Sequence, residues 1–192
     1  MSVLAITTVG DPVLRQRAHD VPPEQIASPD VQAFIDDLVQ TKRAANGAGL
    51  AANQVGDLRR IAVVEVEPGN PRYPYKPPFP LTVLINPELE PLSDETFEVN
   101  EGCLSVPDLR GALSRYAAVR VRFLDRDGER SELVVRGLSA GTFQHEVDHL
   151  DGVLFLDRVT DPATFTTWEQ FDRFGREEFE AQARQIVERF GA

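Results

Sequence analysis

The sequence predicts an α+β fold, and three observations carry that expectation. Two β-branched apolar runs, RIAVVEV at 60–66 and LTVLIN at 81–86, are bounded by chain breakers and read as buried strands. Alternation at Val119, Val121 and Phe123, a turn at Asp127 and Gly128, and a return at 133–135 describe a β-hairpin. Helical segments follow, but they do not alternate with the strands one for one, as a doubly wound sheet would require. A chain of 192 residues, 42% apolar, suits one domain spanning 1–192. A domain of that size buries about 70% of its unfolded surface and needs no disulfide to fold.

The elements can be justified in order. The first 27 residues, interrupted by Pro12, Pro22 and Pro23, read as irregular. A helix begins near Ser28, Pro29 and Asp30, because Ser28 can cap it and Pro29 suits its first turn. Val31, Phe34, Ile35, Leu38 and Ala45 then recur near helical spacing until Gly47 stops the run. Between the two strand runs, residues 68–80 hold six prolines. Proline lacks the amide that a sheet ladder needs, so this segment is a surface loop or flap. Residues 138–150 take helical period through Phe143, Val147 and Leu150. A long amphipathic helix runs from about 166 to 190, with Phe171, Phe174, Phe179, Ala183, Ile186 and Phe190 mostly on one face.

Charge and composition exclude several roles. A net charge of -11 argues against a nucleic-acid partner, since phosphate binding favours a basic field. The single cysteine, Cys103, forms no internal disulfide and points to the reducing cytoplasm. The N-terminus lacks the basic start and apolar run of a signal peptide. No stretch approaches the roughly 18–20 apolar residues of a membrane span.

The sharpest local signal is His145-Glu146-Val147-Asp148-His149. Residues four apart share a helix face, so two imidazoles can converge on one metal ion with Glu146 beside them. Phe143, Val147 and Leu150 fall on another face, so the helix would be buried on both sides. The bland alternative is a solvated polar face. A catalytic metal usually has three protein ligands and one open position. Carboxylates at Asp157, Asp161 and Glu169 lie downstream; Cys103 lies upstream, in NEGCLSVP. A lone cysteine is otherwise most often a small buried hydrophobe, but an HExxH pair in need of a partner favours it as ligand. The stretch GAGLAANQ at 47–54 is small and close-approaching, with an amide donor at Gln54; alone it reads as a helix end followed by a turn. His19, in a proline-flanked stretch, reads as a surface or loop residue.

Three of these segments, in this order, resemble the peptide deformylase family: GAGLAANQ at 47–54, EGCLS at 101–105 and QHEVDHLDG at 144–152. DPVLR at 11–15, INPEL at 85–89 and LDRDG at 124–128 extend the similarity over roughly residues 5–160. The resemblance implies small antiparallel sheets packed around a central HExxH helix, with a long C-terminal helix. It implies Cys103, His145 and His149 as metal ligands and Glu146 as catalytic acid/base. Gln54 and the backbone amide of Leu104 become oxyanion donors, Gly49 a backbone contact to the substrate, and Arg110 a residue near the substrate. The implied reaction is removal of the formyl group from N-formyl-methionyl nascent polypeptides, with release of formate. One divalent ion is implied, ferrous iron in the native protein, although a Cys-His₂ set also suits zinc, nickel or cobalt. A nascent-chain substrate further implies transient contact with the ribosome.

Two features depart from the pattern. Gly141 stands where many members carry a larger side chain, which would widen the pocket for the first substrate residue. The proline-rich insert at 68–80 would shape the entrance. Both lean toward an alternative substrate, a formylated small metabolite. A metallopeptidase would cleave internal bonds, and the upstream Cys ligand argues against it. A closed structural metal site would need a fourth protein ligand and leave Glu146 and Gln54 without a purpose.

Overall fold

A computed structural model describes residues 2–191; Met1 and Ala192, the ends of the expected domain, lie outside the described residues. The N-terminal stretch is mostly irregular, with a 3-10 turn at Pro12–Arg15 and a short helix α1 at Pro23–Ile26. Helix α2, Pro29–Ala44, starts as expected: the Ser28 hydroxyl accepts the Val31 amide at 3.4 Å, and Pro29 occupies the first turn. It ends in Asn46, whose φ of 51° is the left-handed conformation that closes a helix. Val31, Ile35 and Leu38 are buried, while Phe34 stays half-buried beneath the Arg59 guanidinium, 4.1 Å from its ring centre.

The GAGLAANQ stretch departs from the helix-end-and-turn expectation. It forms a short strand, β1 (Gly49–Ala51), and then a 3-10 turn, Ala52–Val55. β2 (Ile61–Val66) and β3 (Phe79–Pro91) take up the two apolar runs. β3 runs further than its apolar core because a bulge between Ile85 and Glu88 absorbs Asn86, at φ 52°. The Asn86 side chain then clamps the Val21 backbone through bonds of 2.8 and 2.9 Å. β6 (Ala118–Leu124) and β7 (Arg130–Arg136) form the expected hairpin. These strands make one antiparallel sheet in the order β1-β2-β3-β6-β7.

A second, two-stranded sheet agrees with the small antiparallel sheets that the resemblance implies, although periodicity alone does not mark its strands. β4 (Thr96–Cys103) pairs with β5 (Val106–Tyr116) and turns at residues 104–105. Helix α3, Gly137–Leu150, lies between the two sheets. One face packs Ala140, Phe143 and Leu150 on Ala62, Val64, Leu84 and Val121. The alternate residues Ile61, Val63, Val83 and Ile85 face α2 through Ile35 and Leu38. The period of two along a strand thus buries both sheet faces, which is why RIAVVEV reads as a continuous apolar run.

The C-terminal segment is helical from Trp168, capped by the Thr167 hydroxyl. It comprises α4 (Trp168–Gln170), one π turn (Phe171–Gly175) and α5 (Arg176–Phe190). Phe171, Phe179, Ala183 and Ile186 are buried against Phe97, Val99 and Leu138. Phe174 does not join the expected stripe: it is 71% exposed. Residues 68–78 form turns without strand structure, consistent with their five prolines, while the last two residues of the expected loop, Phe79 and Pro80, open β3. Among the described residues, no helix is long and apolar enough to cross a membrane.

Candidate active site

Helix α3 presents His145, Glu146, Asp148 and His149 toward the hairpin, and Cys103 closes β4 opposite them. The His149 Nε2 lies 3.1 Å from the Cys103 Sγ and 3.2 Å from the His145 Nε2. These three ligand atoms all fall within 4.8 Å of one another. Nitrogen ligands about 2.0–2.1 Å from a shared tetrahedral ion stand roughly 3.3 Å apart, and a thiolate sulfur at about 2.3 Å stands roughly 3.6 Å from each. The donor set therefore fits one divalent metal, with a side left for substrate. The downstream carboxylates do not join it. Asp157 pairs with Arg15, and Asp161 caps the 3-10 turn Pro162–Thr164. His19 is exposed and touches Arg59 only through a backbone bridge.

A buried charge network orients the first imidazole. The His145 Nδ1 donates to Glu101 Oε2 at 2.9 Å, which leaves Nε2 as the ligating nitrogen. Glu101 in turn accepts two bonds of 2.8 Å from Arg115, and Arg115 also reaches Asp148 Oδ2 at 2.5 Å. Burial works against a charge on Glu101, yet Arg115 and His145 outweigh it and hold this carboxyl well below the usual range. The Cys103 thiol is likewise opposed by burial and held well below its ordinary value by His149 and His145. On the next turn, Asn53 donates to the His149 carbonyl and pins the helix to the 3-10 turn after β1. Sequence reasoning missed Glu101, Arg115 and Asp148 as site residues, although Glu101 and Asp148 stand inside the quoted motifs.

Glu146 sits between the ligands and β1. A Cβ on Gly49 would come within 2.3 Å of Glu146 Oε1, so only glycine admits this carboxylate. The Glu146 Oε2 is buried with no hydrogen-bond partner among the described residues, and burial raises this group's pKa. Gln54 bonds the Ala51 amide through Oε1 at 2.9 Å. That fixes its Nε2 toward Ser105 Oγ at 3.1 Å and Cys103 Sγ at 3.5 Å.

A cavity beside these groups is lined by Gly49, Leu104, Val99, Leu138 and Gly141, among others. At Gly141 a Cβ would stand in ordinary contact with Phe97 Cζ, at 3.5 Å, so this ring forms the wall beside the space that the glycine leaves. The proline-rich segment contributes Tyr73, Tyr75 and Lys76 to the wall. Lys76 Nζ donates to Thr142 Oγ1 at 2.7 Å, and burial pushes its pKa down to about 8. Arg110 also lines the cavity, bonded to Asn100 Oδ1 at 2.7 Å and sandwiched against the Trp168 and Phe171 rings at 4.2 Å.

An HExxH helix facing a cysteine on a β-hairpin, with an unpartnered carboxylate against the ligand cluster, defines a metallohydrolase centre. The model of one family, polypeptide deformylase, matches residues 3–164. A peptide deformylase of Leptospira biflexa is 39% identical over 176 residues, covering 92% of this chain and 98% of that protein. Peptide deformylase 1 of Bordetella pertussis is 44% identical over 161 residues, covering 84% and 90% respectively. A Met-Ala-Ser-bound crystal structure of a class I type b peptide deformylase from Acinetobacter baumannii superposes with a TM-score of 0.79. That pair is 39% identical and covers 83% of this chain and all of the other. The chain belongs to the polypeptide deformylase family. It is a metal-dependent amidohydrolase of that family, built around a Cys-His-His metal site.

Proposed function

We propose that this enzyme, acting as a single domain over residues 1–192, removes the formyl group from N-formyl-methionyl nascent polypeptides and releases formate. The observation that carries the reading is the convergence of three ligand atoms beside Glu146, with Gly49 left bare to admit it. The peptide Met-Ala-Ser bound to the Acinetobacter protein supports the substrate class. Cys103, His145 and His149 would hold the ion. When bound, a divalent metal acts as a Lewis acid that activates water at neutral pH and polarises a carbonyl.

The chain's own residues do the rest. Glu146, whose pKa burial raises, acts as a carboxylate that accepts the attacking water's proton and delivers it to the departing amine nitrogen. Water oxygen adds to the formyl carbon, the carbon–nitrogen bond breaks, and formate and a free amine result. Gln54 Nε2 and the Leu104 amide donate to the oxygen that gains charge, where fixed donors count most. Gly49 offers backbone to the substrate peptide, and Arg110 anchors the far side of the cavity. Ferrous iron is the native ion in this proposal, with zinc, nickel or cobalt able to substitute. In this proposal the enzyme works in the reducing cytoplasm, a reading that a thiolate beside an oxidation-prone metal supports, and a nascent-chain substrate brings it into transient contact with the ribosome.

Anaerobic purification with metal analysis, followed by formate release from formyl-Met-Ala, tests the proposal. Wild type turns the peptide over, and Glu146→Ala loses about 10²–10⁴ in rate while keeping its metal. Wild-type turnover in that variant overturns the mechanism.

A further inference from the structure

Two amides of the irregular N-terminal stretch reach the two elements that carry Gln54 and Leu104. The Thr7 amide donates to the Gln54 carbonyl at 2.7 Å, and the Val9 amide donates to the Ser105 carbonyl at 2.7 Å. Gln54 lies in the four-residue 3-10 turn Ala52–Val55, where carbonyls run out of donors within the helix. Ser105 shares with Leu104 the two-residue turn between Cys103 and Val106, the last pair of the β4–β5 ladder. Both carbonyls stand where regular pairing stops, and residues 7–9 supply the missing donors.

A third bond closes the figure. Gln54 Nε2 donates to Ser105 Oγ at 3.1 Å, and Ser105 is fully buried. Thr7, Gln54, Ser105 and Val9 thus form a ring, covalent along residues 7–9 and hydrogen-bonded on its other three sides. The stretch is anchored on α2: the Leu4 amide donates to Thr41 Oγ1 at 2.9 Å, and Ile6 packs into the cluster of Ile35 and Leu38. Thr8 and Val9 are exposed and add little to the core. The Gln54 side-chain amide carries two hydrogens. Ser105 takes one, and the other is left on the Cys103 side, where Sγ lies 3.5 Å from Nε2. The ring therefore sets how far that hydrogen stands from the Leu104 amide.

We propose that residues 7–9 are a positioning strap, whose Thr7 and Val9 amides hold Gln54 and the Leu104–Ser105 turn at the separation that the charged oxygen of the reaction requires. The assignment rests on the oxyanion roles given above to Gln54 and Leu104. Thr7 and Val9 do not line the cavity, so they act on the reaction through those two residues. A loosened strap lowers kcat and leaves KM in place, because the donors meet a charge that exists only in the transition state.

The test compares metal-loaded T7P and V9P, each lacking one amide donor, with T8P, which changes the exposed residue between them. With formyl-Met-Ala, T7P and V9P should lower kcat by about tenfold or more at little-changed KM and metal content, while T8P stays within about twofold of wild type. Equal losses in all three, or losses carried by KM, overturn the proposal. A double-variant cycle reads the coupling. Q54L alone should lower kcat by roughly 10²–10³, and adding T7P to it should cost less than about threefold more. A further full loss of about tenfold in T7P/Q54L, as for independent sites, overturns the proposal. Hydrogen exchange gives a second readout that needs no variant to fold. In wild type the Thr7 and Val9 amides should exchange at least about tenfold more slowly than in a free peptide, although Val9 is exposed. Exchange of either amide at the free rate overturns the proposal. Wild-type kcat in Q54L would instead overturn the oxyanion reading.

Discussion

Arg115 and Lys42 each stand at the centre of a buried charge cluster, on opposite sides of the five-stranded sheet. Behind the metal ligands, Arg115 ties Glu101 to Asp148, and the chain of bonds ends at His145 Nδ1. On the other face, Lys42 and Arg43 of α2 enclose Glu65 of β2, and the bonds end at the Glu65 side chain and carbonyl. The ingredients match, but the first cluster terminates on a ligating imidazole and the second joins a helix to a strand. The lesson is that a buried ion cluster is read by its last bond. One sets the direction of a nitrogen lone pair; the other sets where α2 sits.

Breaking the two clusters separates these roles. The largest effect is expected for Arg115→Met, which leaves Glu101 and Asp148 without their shared cation. It should cost about 3–5 kcal/mol in denaturant unfolding and lower metal content with it. Retained stability would mean that Arg158, which also bonds Asp148, carries the cluster. Glu101→Gln is narrower. It keeps the volume but changes the acceptor for His145, so metal affinity should fall by about 10–100-fold in a competition titration. Unchanged affinity would detach this cluster from the site. Lys42→Met should cost about 1–2 kcal/mol, since Arg43 still holds Glu65, and should leave metal content untouched. Loss of metal there would erase the contrast. The smallest effect is in pH dependence. The Arg43 hydrogen bond, joined by that of Lys42, outweighs burial and lowers the Glu65 pKa to about 2 from 4.5. The stabilisation is therefore complete above about pH 4.5 and fades as pH falls toward 2. Glu65→Gln should make the acid limb of the stability profile shallower than in wild type.

Much of this arrangement is legible in the sequence, for identifiable reasons. Ser28 and Pro29 announce α2 because capping is local chemistry. RIAVVEV announces β2 because both its faces are apolar. The hairpin of β4 and β5 is not legible, although Phe97 and Val99 alternate inward. Its other inward positions mix apolar Val106 and Leu113 with buried Arg110 and Arg115, and Gly102 and Pro107 interrupt the run. A strand that buries charge does not show the apolar period on which strand recognition depends. The metal ligands are legible because HExxH spacing is fixed by one helix turn, with Cys103 the only thiol in the chain. Lys76 is not, because nothing local tells a lysine in a proline-rich loop that it will fold inward onto Thr142.

The π turn at Phe171–Gly175 has its own consequence for the cavity. An α-helix advances about 100° per residue, and one extra residue in a wider turn resets that phase. Without the reset, Phe171 and Phe179 would point roughly 80° apart around the axis. With it they come within about 20°, so both rings face the Arg110 guanidinium, at 4.2 and 5.5 Å. Phe174, caught inside the wide turn, is the residue left facing water. The C-terminal helix is in this sense indexed to the cavity, like a gear tooth set against one partner. Tightening this turn to a regular α-helix without losing a residue would rotate one of its two rings off the arginine, whereas deleting Phe174 would keep the segment helical with both rings in phase.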